Sequence, residues 1–346
     1  MSFSKKILHW YSINKRSLPW RNTIDPYKIW LSEIMLQQTR VAQGTSYYLS
    51  FEKHFPTVQH LANASEEEVL KLWQGLGYYS RARNLHFTAK DIVENYNGEF
   101  PTTHKELLKL KGVGEYTASA IASICFNEKQ AVVDGNVYRV LARYFGVDAP
   151  INSTAGIKYF KELAQKVMHN TNYRDYNQAI MEFGAIQCAP KNPDCTSCPL
   201  NDSCIALQKK KVNVLPVKIN KTKVKNRYFN YLVLVDKNHQ TVLKQRKGKG
   251  IWQNLYEFPL VELKIDEKDV QNRFKELYKE IDLPDAVLHN SKPVVHKLSH
   301  QHLHTHFWIA EFNDELENGI PFSELEKYPV PVLIADFIKT LKILYF

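Results

Sequence analysis

A group of four cysteines constrains the fold more than any other feature of this sequence. Cys188, Cys195, Cys198 and Cys204 lie within the 17 residues "CAPKNPDCTSCPLNDSC", with the spacing C-x6-C-x2-C-x5-C. The N-terminus lacks the apolar run of a signal peptide, so we expect a reducing compartment, where clustered cysteines bind metal rather than form disulfides. Structural zinc usually takes two C-x2-4-C pairs, and this segment has one. The spacing favours an iron–sulfur cluster in a proline-containing loop and leaves zinc as the alternative.

The composition indicates a folded protein with an anionic partner. The 346 residues suffice for two domains, and 44% hydrophobic with 12% aromatic residues exclude a disordered chain. A net charge of +10 favours nucleic acid as the partner, with a merely basic surface as the alternative. No window is apolar enough for a membrane span, so we expect a soluble, cytoplasmic protein without a membrane partner. The fifth cysteine, Cys125, follows an apolar helical pattern and is predicted to be a buried core thiol.

The chain divides into a helical region and a mixed region. Residues 1–208 show helical apolar spacing, which predicts a mostly α domain. Residues 209–227 hold eight basic residues, one proline and no acid, which predicts a linker and is compatible with a position along DNA backbone. In residues 228–346, "YFNYLVLV", "QTVLKQR" and "HTHFWIAEF" are predicted strands and "VQNRFKELYKEI" is a predicted helix. We therefore expect an α+β second domain.

The stretch "KGVGEYTA" contains a glycine pair between two helical patterns. A dinucleotide-binding fingerprint is one interpretation, because Asp134 follows Gly114 by 20 residues. That fingerprint requires a strand before the first glycine, whereas "HKELLKLK" has helical spacing, and Thr117 occupies the third glycine position. A helix–hairpin–helix fits better, since Gly112 and Gly114 would expose hairpin amides to a DNA phosphate. A helix turn capped by glycines is the structural alternative.

Two acidic residues are candidate catalytic groups. Glu33 lies in "DPYKIWLSEIMLQQTRV", where it aligns with Gln37 and Arg40 on one helical face. The apolar stripe of the same helix is formed by Tyr27, Trp30, Leu31 and Ile34. A carboxyl group buried beside such a stripe would have a raised pKa, as a general acid needs, although most helical glutamates are solvated. Asp134 lies where an apolar segment meets the helix "VYRVLARYF", a position also typical of a helix N-cap.

The glycine hairpin, "VVDGNV" and the cysteine loop occur in this order in one chain. The combination resembles the helix–hairpin–helix DNA glycosylases that carry a [4Fe-4S] cluster, the endonuclease III superfamily. Within it, "LPWR", "WLSEIMLQQTRV" and "GLGYYSRARNLH" are similar to the MutY family of adenine DNA glycosylases, which remove adenine mispaired with 8-oxoguanine. The resemblance is dense over residues 7–208 and looser beyond. It implies a [4Fe-4S] cluster on the four cysteines and a place in base excision repair, on nucleoid DNA.

The resemblance also implies roles for individual residues. Glu33 would protonate nitrogen 7 of the flipped adenine and help to activate water, and Asp134 would stabilise the oxocarbenium-like sugar, with Asn136 orienting nearby groups. Lyases of the superfamily carry a lysine after the hairpin, and its amine forms a Schiff base with the sugar. Tyr116 occupies that position here and offers no amine. We therefore expect a monofunctional glycosylase that leaves the strand intact.

Contacts to DNA are implied for several more residues of the first domain. The residues expected to contact DNA there are Arg21, Gln37, Gln38, Tyr78, Gly112 and Gly114. Gln37, Gln38 and Tyr78 are the candidates for filling the gap that base extrusion leaves beside 8-oxoguanine. Arg81 and Arg83 flank Tyr78 and Tyr79 in a pattern suited to DNA, although tyrosines in such a run are usually core residues.

The second domain resembles the Nudix-related C-terminal domain of the same family. "RFKELYKEI" does not match the glutamate-rich box of active Nudix hydrolases, so we expect no pyrophosphatase activity. "HKLSHQHLHTHFW" matches the loop that reads 8-oxoguanine, with Ser299 and His300 as the polar contacts and Leu298 where many relatives have phenylalanine. His302, His304 and His306 alternate, so we expect them on one strand face, as a polar surface rather than a metal site.

The sequence thus predicts a monomeric, monofunctional adenine DNA glycosylase acting on duplex DNA with A:8-oxoguanine or A:G mispairs. A bifunctional pyrimidine glycosylase/lyase is the first alternative, and Tyr116 and the long second domain argue against it. A non-catalytic iron–sulfur DNA-binding module is the second, and the presence of both Glu33 and Asp134 argues against it.

Overall fold

The structure, a computed structural model, describes residues 1–219, 224–264, 267–279 and 283–345. The chain forms two compact units. The first contains Met1–Ala64 and continues from Asn84 to the end of the first described range; the second contains Ser65–Arg83 and the described residues after 223. No helix among the described residues is long and apolar enough to cross a membrane.

The described part of the first unit is helical, which confirms the predicted fold class. Its α-helices are α1 (Phe3–Asn14), α2 (Pro26–Leu36), α3 (Val41–His54), α4 (Val58–Asn63), most of α6 (Ser80–Asn95), α7 (His104–Leu107), α8 (Glu115–Phe126), α9 (Gly135–Phe145), α10 (Thr154–Val167), α11 (Tyr173–Ile186) and α12 (Ile205–Gln208). α5 (Glu66–Leu72) belongs to the second unit. Single 3-10 turns cover Pro19–Asn22 and Asn201–Ser203.

Helix α2 is the central helix of the first unit. The Asp25 side chain accepts from the Tyr27 backbone N–H and Pro26 occupies the first turn, so the sequence fixes where the helix begins. The predicted apolar stripe is buried, and Glu33 is buried with it. The helix ends at Leu36, before Gln37 and Arg40. The expected alignment of those two residues with Glu33 on one helical face is therefore wrong, because a turn follows Leu36.

Helices α9 and α11 pack closely at a glycine. A side-chain carbon at Gly184 of α11 would come within 2.8 Å of both Cβ and the carbonyl oxygen of Asn136 on α9. Only glycine permits this approach. The close packing brings α11 against the N-terminus of α9, where Asp134 and Asn136 lie.

The glycine stretch forms the predicted hairpin between α7 and α8. Gly112 has φ +79°, which favours glycine, and Gly114 precedes the first turn of α8 in an extended conformation. The helix before the hairpin is only one turn long, and its N-cap is Thr103. No strand precedes the first glycine in the described structure, so the dinucleotide-binding interpretation is excluded.

The basic stretch 209–227 does not behave as one element. Its first part packs on the first unit, where Ile151 N–H donates to the Val217 carbonyl at 3.0 Å and the Arg143 guanidinium donates to Leu215 O at 3.1 Å. Residues 220–223 lie outside the described residues. The first strand begins at Lys225, inside the predicted linker.

The described part of the second unit combines sheets and helices, as predicted. Its strands are β1 (Lys225–Val235), β2 (Gln240–Thr241), β3 (Lys244–Gln245), β4 (Tyr256–Glu257), β5 (Leu260–Val261), β6 (Val287–Leu288), β7 (Val294–Lys297), β8 (Gln301–Glu311) and β9 (Ile320–Pro321). Its helices after α5 are α13 (Glu267–Leu277) and α14 (Val332–Tyr345), with a 3-10 turn at Phe322–Lys327. The main sheet has the order β5-β1-β8-β6, and β7 also pairs with β8.

The long strands β1 and β8 run parallel in register, with Tyr231 beside Phe307 and Leu232 beside Trp308. On one face, Phe337 of α14 stacks on Phe307 at 3.7 Å between ring centroids. On the other, Phe274 of α13 meets Trp308 edge-on at 6.3 Å. The two helices therefore bury opposite faces of one sheet. The predicted strand "QTVLKQR" is instead two short strands, β2 and β3.

Residues 65–83 pack within the second unit. Lys71 Nζ donates to the Tyr328 carbonyl at 3.1 Å, and Asn254 Nδ2 donates to Glu66 Oε1 at 2.5 Å. The Arg83 guanidinium donates to the Gln253 carbonyl at 2.9 Å. Helix α5 and the segment after it, which carries Tyr78, are thus held by residues 170 to 257 positions later in the sequence.

Candidate active site

The first unit contains a cavity of about 490 Å³ that collects residues from six parts of the chain. Its lining includes these predicted site residues: Arg21, Glu33, Gln37, Gln38, Tyr116, Asp134 and Asn136. Gly112 and Gly114, at the hairpin, are not among the residues that line it. The cavity unites the end of α2, the start of α8, the start of α9 and α11.

Glu33 lines this cavity, and its side chain is nearly inaccessible to solvent. The residue is 8% exposed, and burial raises the pKa of its carboxyl to about 7. A hydrogen bond from the Tyr116 hydroxyl opposes the rise in pKa, and the charge of Asp134 adds to it. A carboxyl group with this pKa is partly protonated at neutral pH, as a general acid must be.

Tyr116 connects Glu33 to α11. Its hydroxyl donates to Met181 Sδ at 3.1 Å and is also a hydrogen-bond partner of the Glu33 carboxyl. A phenol has one proton, so the hydroxyl donates to either Met181 or Glu33 at a time, and an ionised Glu33 is the stronger acceptor. Burial, followed by the charges of Glu33 and Asp134, raises the Tyr116 pKa well above its usual value. The residue is therefore a neutral hydroxyl that follows the charge of Glu33.

Asp134 is the N-cap of α9, so the structural interpretation of this residue is correct. Its Oδ1 accepts from the backbone N–H groups of Asn136 at 2.9 Å and Val137 at 2.8 Å, and Oδ2 accepts from Asn136 Nδ2 at 2.8 Å. Burial raises the pKa of this carboxyl, and the three hydrogen bonds oppose the rise. Capping and catalysis are compatible, because the cap holds a carboxylate at the cavity wall beside Glu33.

Asn136 links Asp134 to the cysteine loop. Its Oδ1 accepts from Arg139 Nη2 at 2.8 Å, and Arg139 Nε donates to the Cys188 carbonyl at 2.8 Å. Arg143, one turn later on α9, donates to the carbonyl of Ala189 at 2.8 Å and lies 3.4 Å from Cys188 Sγ. Helix α9 thus has Asp134 at its N-cap and binds the cysteine loop through Arg139 and Arg143.

Glu182 is a cavity residue that the sequence did not single out. Its carboxylate accepts from the Nε, Nη2 and backbone N–H of Arg16 and from both terminal nitrogens of Arg21, at 2.6–3.0 Å. Burial would raise its pKa, but these bonds hold the pKa near 2. Because the two arginines precede α2 and Glu182 lies on α11, only tertiary structure brings them together. The one sequence signal was Arg21 in "LPWR".

Gln37 and Gln38 lie at the cavity rim, in the turn that follows α2. Gln37 Nε2 donates to Thr117 Oγ1 at 3.3 Å. Gln38 has φ +55°, in the left-handed region that non-glycine residues rarely adopt.

Tyr78, Ser299 and His300 line a second cavity, of about 630 Å³, inside the second unit. Tyr78 is 43% exposed with φ +48°, and its hydroxyl is hydrogen-bonded to the Ser299 hydroxyl. Trp252 and His296 also line this cavity. Three predicted contacts from distant parts of the sequence therefore share one cavity.

The neighbours of Tyr78 have other surroundings. Tyr79 is 7% exposed and its hydroxyl accepts from the Gly75 N–H at 3.2 Å. Arg81 is 9% exposed and donates to the Leu76 and Gly77 carbonyls. Both residues therefore shape the turn that carries Tyr78.

The three histidines of β8 lie on one strand face, as predicted. His304 stacks on Tyr228 at 5.2 Å between ring centroids, and His306 Nδ1 lies 3.0 Å from the Asn290 carbonyl.

The four loop cysteines are free thiols near one another. Burial, with a smaller contribution from the three neighbouring sulfurs, raises the pKa of Cys198 to about 11. Cys195 and Cys204 likewise feel the charge of Cys188. Arg143 faces Cys188 Sγ and would stabilise a thiolate there. The chemistry of this donor set, four cysteine sulfurs with a cationic neighbour, fits the implied cluster, but in the described part of the chain these sulfurs are not arranged around one metal position. Cys125 is only partly buried, in α8, apart from this loop.

Similarity to known proteins agrees with this geometry. Residues 31–158 match the family model of the HhH-GPD superfamily of base excision DNA repair proteins, and residues 230–340 match that of the NUDIX domain. The adenine DNA glycosylase of Buchnera aphidicola subsp. Baizongia pistaciae is 40% identical over 266 residues, which cover 74% of this chain and 73% of that protein. The chain belongs to the adenine DNA glycosylase family.

Further similarities extend this assignment. The adenine DNA glycosylase of Mus musculus is 45% identical over 217 residues, which cover 60% of this chain and 42% of that protein. The solved structure of a thermostable thymine-DNA glycosylase has a TM-score of 0.56 and 33% identity, and the match covers 60% of this chain and 95% of that one. This member of the adenine DNA glycosylase family is thus a DNA glycosylase of base excision repair. Its first unit has the fold of endonuclease III, whose non-covalent complex with DNA matches with a TM-score of 0.52 and 22% identity.

Proposed function

We propose that this protein is a monofunctional glycosylase that hydrolyses the N-glycosidic bond of adenine mispaired with 8-oxoguanine or guanine in duplex DNA. The observation that carries the proposal is the cavity in which Glu33 and Asp134 lie close enough for one charge to raise the pKa of the other. Two carboxyl groups at one glycosidic bond can protonate the leaving group and stabilise the sugar cation.

Glu33 is the proton donor in this mechanism. With its pKa near 7, the carboxyl carries a proton that it can transfer to nitrogen 7 of adenine, which turns the base into a neutral leaving group. After transfer, the Tyr116 hydroxyl is placed to donate to the new carboxylate. The same carboxylate can then accept a proton from the attacking water.

Asp134 stabilises the positive charge that develops on the sugar. Its three hydrogen bonds from Asn136 and Val137 keep the carboxylate fixed, so no reorganisation is required when the charge appears. The lining residues that the structure describes include no lysine, and Tyr116 occupies the position after the hairpin. This lining therefore offers no lysine amine that could form an imine with the sugar, and the product is an abasic site.

The test uses four duplexes that differ in one base pair: A:8-oxoguanine, A:G, A:T and T:G. We expect single-turnover excision of adenine from the first two and no strand cleavage until alkali is added. The T:G duplex tests for the activity named for the structurally similar thymine-DNA glycosylase. Thymine excision without adenine excision would overturn the proposal, and so would efficient borohydride crosslinking to the product.

We also propose that Cys188, Cys195, Cys198 and Cys204 hold a [4Fe-4S] cluster. When bound, the cluster would cross-link the loop and so fix the ends of its 17 residues. Arg139 and Arg143 would then connect the loop to α9 through the Cys188 carbonyl. Iron and sulfide analysis of purified protein should give about four of each per chain. A colourless active preparation with one zinc and no iron would contradict this assignment.

The second cavity is the proposed reader of 8-oxoguanine. Ser299 and His300 are exposed polar groups at the rim, and Tyr78 and Trp252 offer aromatic surface. Because 8-oxoguanine differs from guanine by a carbonyl and a ring N–H, a few directed hydrogen bonds must discriminate the two.

A further inference from the structure

The segment that leads to Asp134 is neither helix nor strand in the part of the chain that the structure describes. It joins α8 to α9 as residues 127–134, and Val132 is 1% exposed. Buried backbone N–H and C=O groups must find partners, and here neither a helix nor a sheet supplies them. Two side-chain amides do so instead.

The first amide is that of Gln165 on α10. Its Nε2 donates to the Lys129 carbonyl at 2.8 Å, and its Oε1 accepts from the Ala131 N–H at 3.0 Å. These two backbone groups flank residue 130 on one edge of the segment. A neighbouring β-strand would bind the same pair of groups, so the carboxamide replaces one peptide of a missing strand.

The second amide is that of Asn177 on α11, and it binds the opposite edge. Its Nδ2 donates to the Gln130 carbonyl at 2.8 Å, and its Oδ1 accepts from the Val132 N–H at 3.2 Å. Nδ2 also donates to Ser123 Oγ of α8 at 2.7 Å. Asn177 is 1% exposed, and its two N–H donors and its amide oxygen are each bonded to one of these partners. It therefore ties α8, α11 and the segment together at one point.

We propose that Asn177, assisted by Gln165, is a positioning residue for the glycosylase reaction, because it sets where the Asp134 carboxylate lies relative to Glu33. The proposal rests on the proposed function of Asp134. Val132 lies only two positions before Asp134, so a shift of the clamped segment is passed directly to the start of α9. Misplacement of a reacting group by about 1 Å can cost about 10²-fold in rate.

The test compares Asn177→Leu and Gln165→Leu with the wild-type chain. Leucine has the same number and branching of side-chain heavy atoms as asparagine, and it cannot bond to either backbone edge. We expect Asn177→Leu to lower the single-turnover rate of adenine excision about 10²-fold and Gln165→Leu about tenfold, with the affinity for the mispaired duplex nearly unchanged. Gln165 is partly exposed, so its variant should fold even where Asn177→Leu does not.

A loss of stability alone would not change the pH dependence of excision, so this dependence distinguishes a positioning effect from a folding defect. The groups facing the Glu33 carboxyl are Tyr116 and Asp134, and across the cavity Arg16 and Arg21 are paired with Glu182. Excision requires protonated Glu33, so its rate falls as pH rises through the Glu33 pKa. Since the Asp134 charge raises that pKa, its displacement should move the falling limb to lower pH.

Asn152→Leu is the matched control. The Asn152 amide makes the same two-point clamp on the backbone of Ile219, away from the cavity. That variant should excise adenine at the wild-type rate with the wild-type pH profile. Folded Asn177→Leu or Gln165→Leu protein with wild-type rate and pH profile would overturn the proposal. So would a loss of excision matched by an equal loss of affinity. Absence of excision by the wild-type chain would instead refute the proposed function.

Discussion

Glu33, Asp134 and Glu182 share one cavity, and their hydrogen bonds differentiate them. Glu182 accepts five bonds from two arginines and stays ionised, with a pKa near 2. Asp134 accepts three bonds from a helix N-terminus. Glu33 has Tyr116 as its hydrogen-bond partner and a pKa near 7. Separate environments of this kind allow carboxyl groups to act as acid and as charge stabiliser at one pH.

Glu33→Gln should abolish proton donation while leaving the shape of the cavity unchanged. We expect the mispaired duplex to bind as before and adenine excision to fall by at least about 10²–10⁴, the usual contribution of general acid–base catalysis. Single-turnover kinetics with saturating protein measures the excision step separately from binding. Glu162→Gln, on the surface of α10, is the control and should not change the rate. Near-normal excision by Glu33→Gln would remove this residue from the mechanism.

Glu182→Gln should destabilise the first unit, because two guanidinium groups lose their shared carboxylate. Removal of one partner from a buried ion pair costs about 3 kcal/mol. The folded-state pKa is lowered, so the stabilisation is complete above the ordinary glutamate pKa of 4.5 and is lost as pH falls toward 2. The free energy of unfolding should therefore differ between wild type and variant by the full amount at pH 7 and by about 1 kcal/mol less at pH 3.5. Thermal unfolding at both pH values measures this difference. An equal difference at both pH values would contradict this assignment.

At the scale of elements, local patterns predicted the helices and the hairpin correctly. The helix of Glu33, the glycine hairpin and the alternating face of β8 each follow from short-range spacing. The end of α2 at Leu36 did not, because "IMLQQTRV" keeps helical spacing while the chain turns at Gln38 with φ +55°. The sequence also did not predict two groups of contacts. These are the side-chain amides that bind the segment before Asp134, and the two arginines that bind Glu182. Their partners are 34 to 166 residues apart, and no local pattern reports such pairing.

The hairpin glycines should respond differently to substitution. Gly112 has φ +79°, and a Cβ there would lie 2.8 Å from Asn84 Cβ, so Gly112→Ala should lower stability by about 1–3 kcal/mol. At Gly114 nothing lies within 4 Å, so Gly114→Val should fold normally. Its added bulk at the start of α8 should instead weaken binding to every duplex about equally, since a phosphate contact reads no sequence. Affinities for A:8-oxoguanine and A:T duplexes at fixed salt test this, and weakening confined to one duplex would contradict it.

At the scale of the whole molecule, the order of residues in the sequence does not match their division into two compact units. The turn that carries Tyr78 lies in the sequence of the helical region, yet it is bonded to residues of the second unit, including Gln253 and Ser299. A chain cut before β1 would therefore lose the packing of residues 65–83 together with the loop that carries Ser299 and His300. Point substitutions in the full chain separate these effects, and a truncation does not.

Ser299→Ala combined with His300→Ala should lower discrimination between 8-oxoguanine and guanine while the chemistry of the first unit continues. Both side chains are exposed, so the variant should fold as the wild type does. Each directed hydrogen bond to a base edge contributes about 1–3 kcal/mol, so the ratio of excision rates on A:8-oxoguanine and A:G should fall by at least about tenfold. Single-turnover measurements on both duplexes at one salt concentration give this ratio, because phosphate contacts make affinity depend on salt. His302→Ala, two residues further along β8, is the control and should keep the ratio. An unchanged ratio in the double variant would move recognition to Gln37, Gln38 and Tyr78.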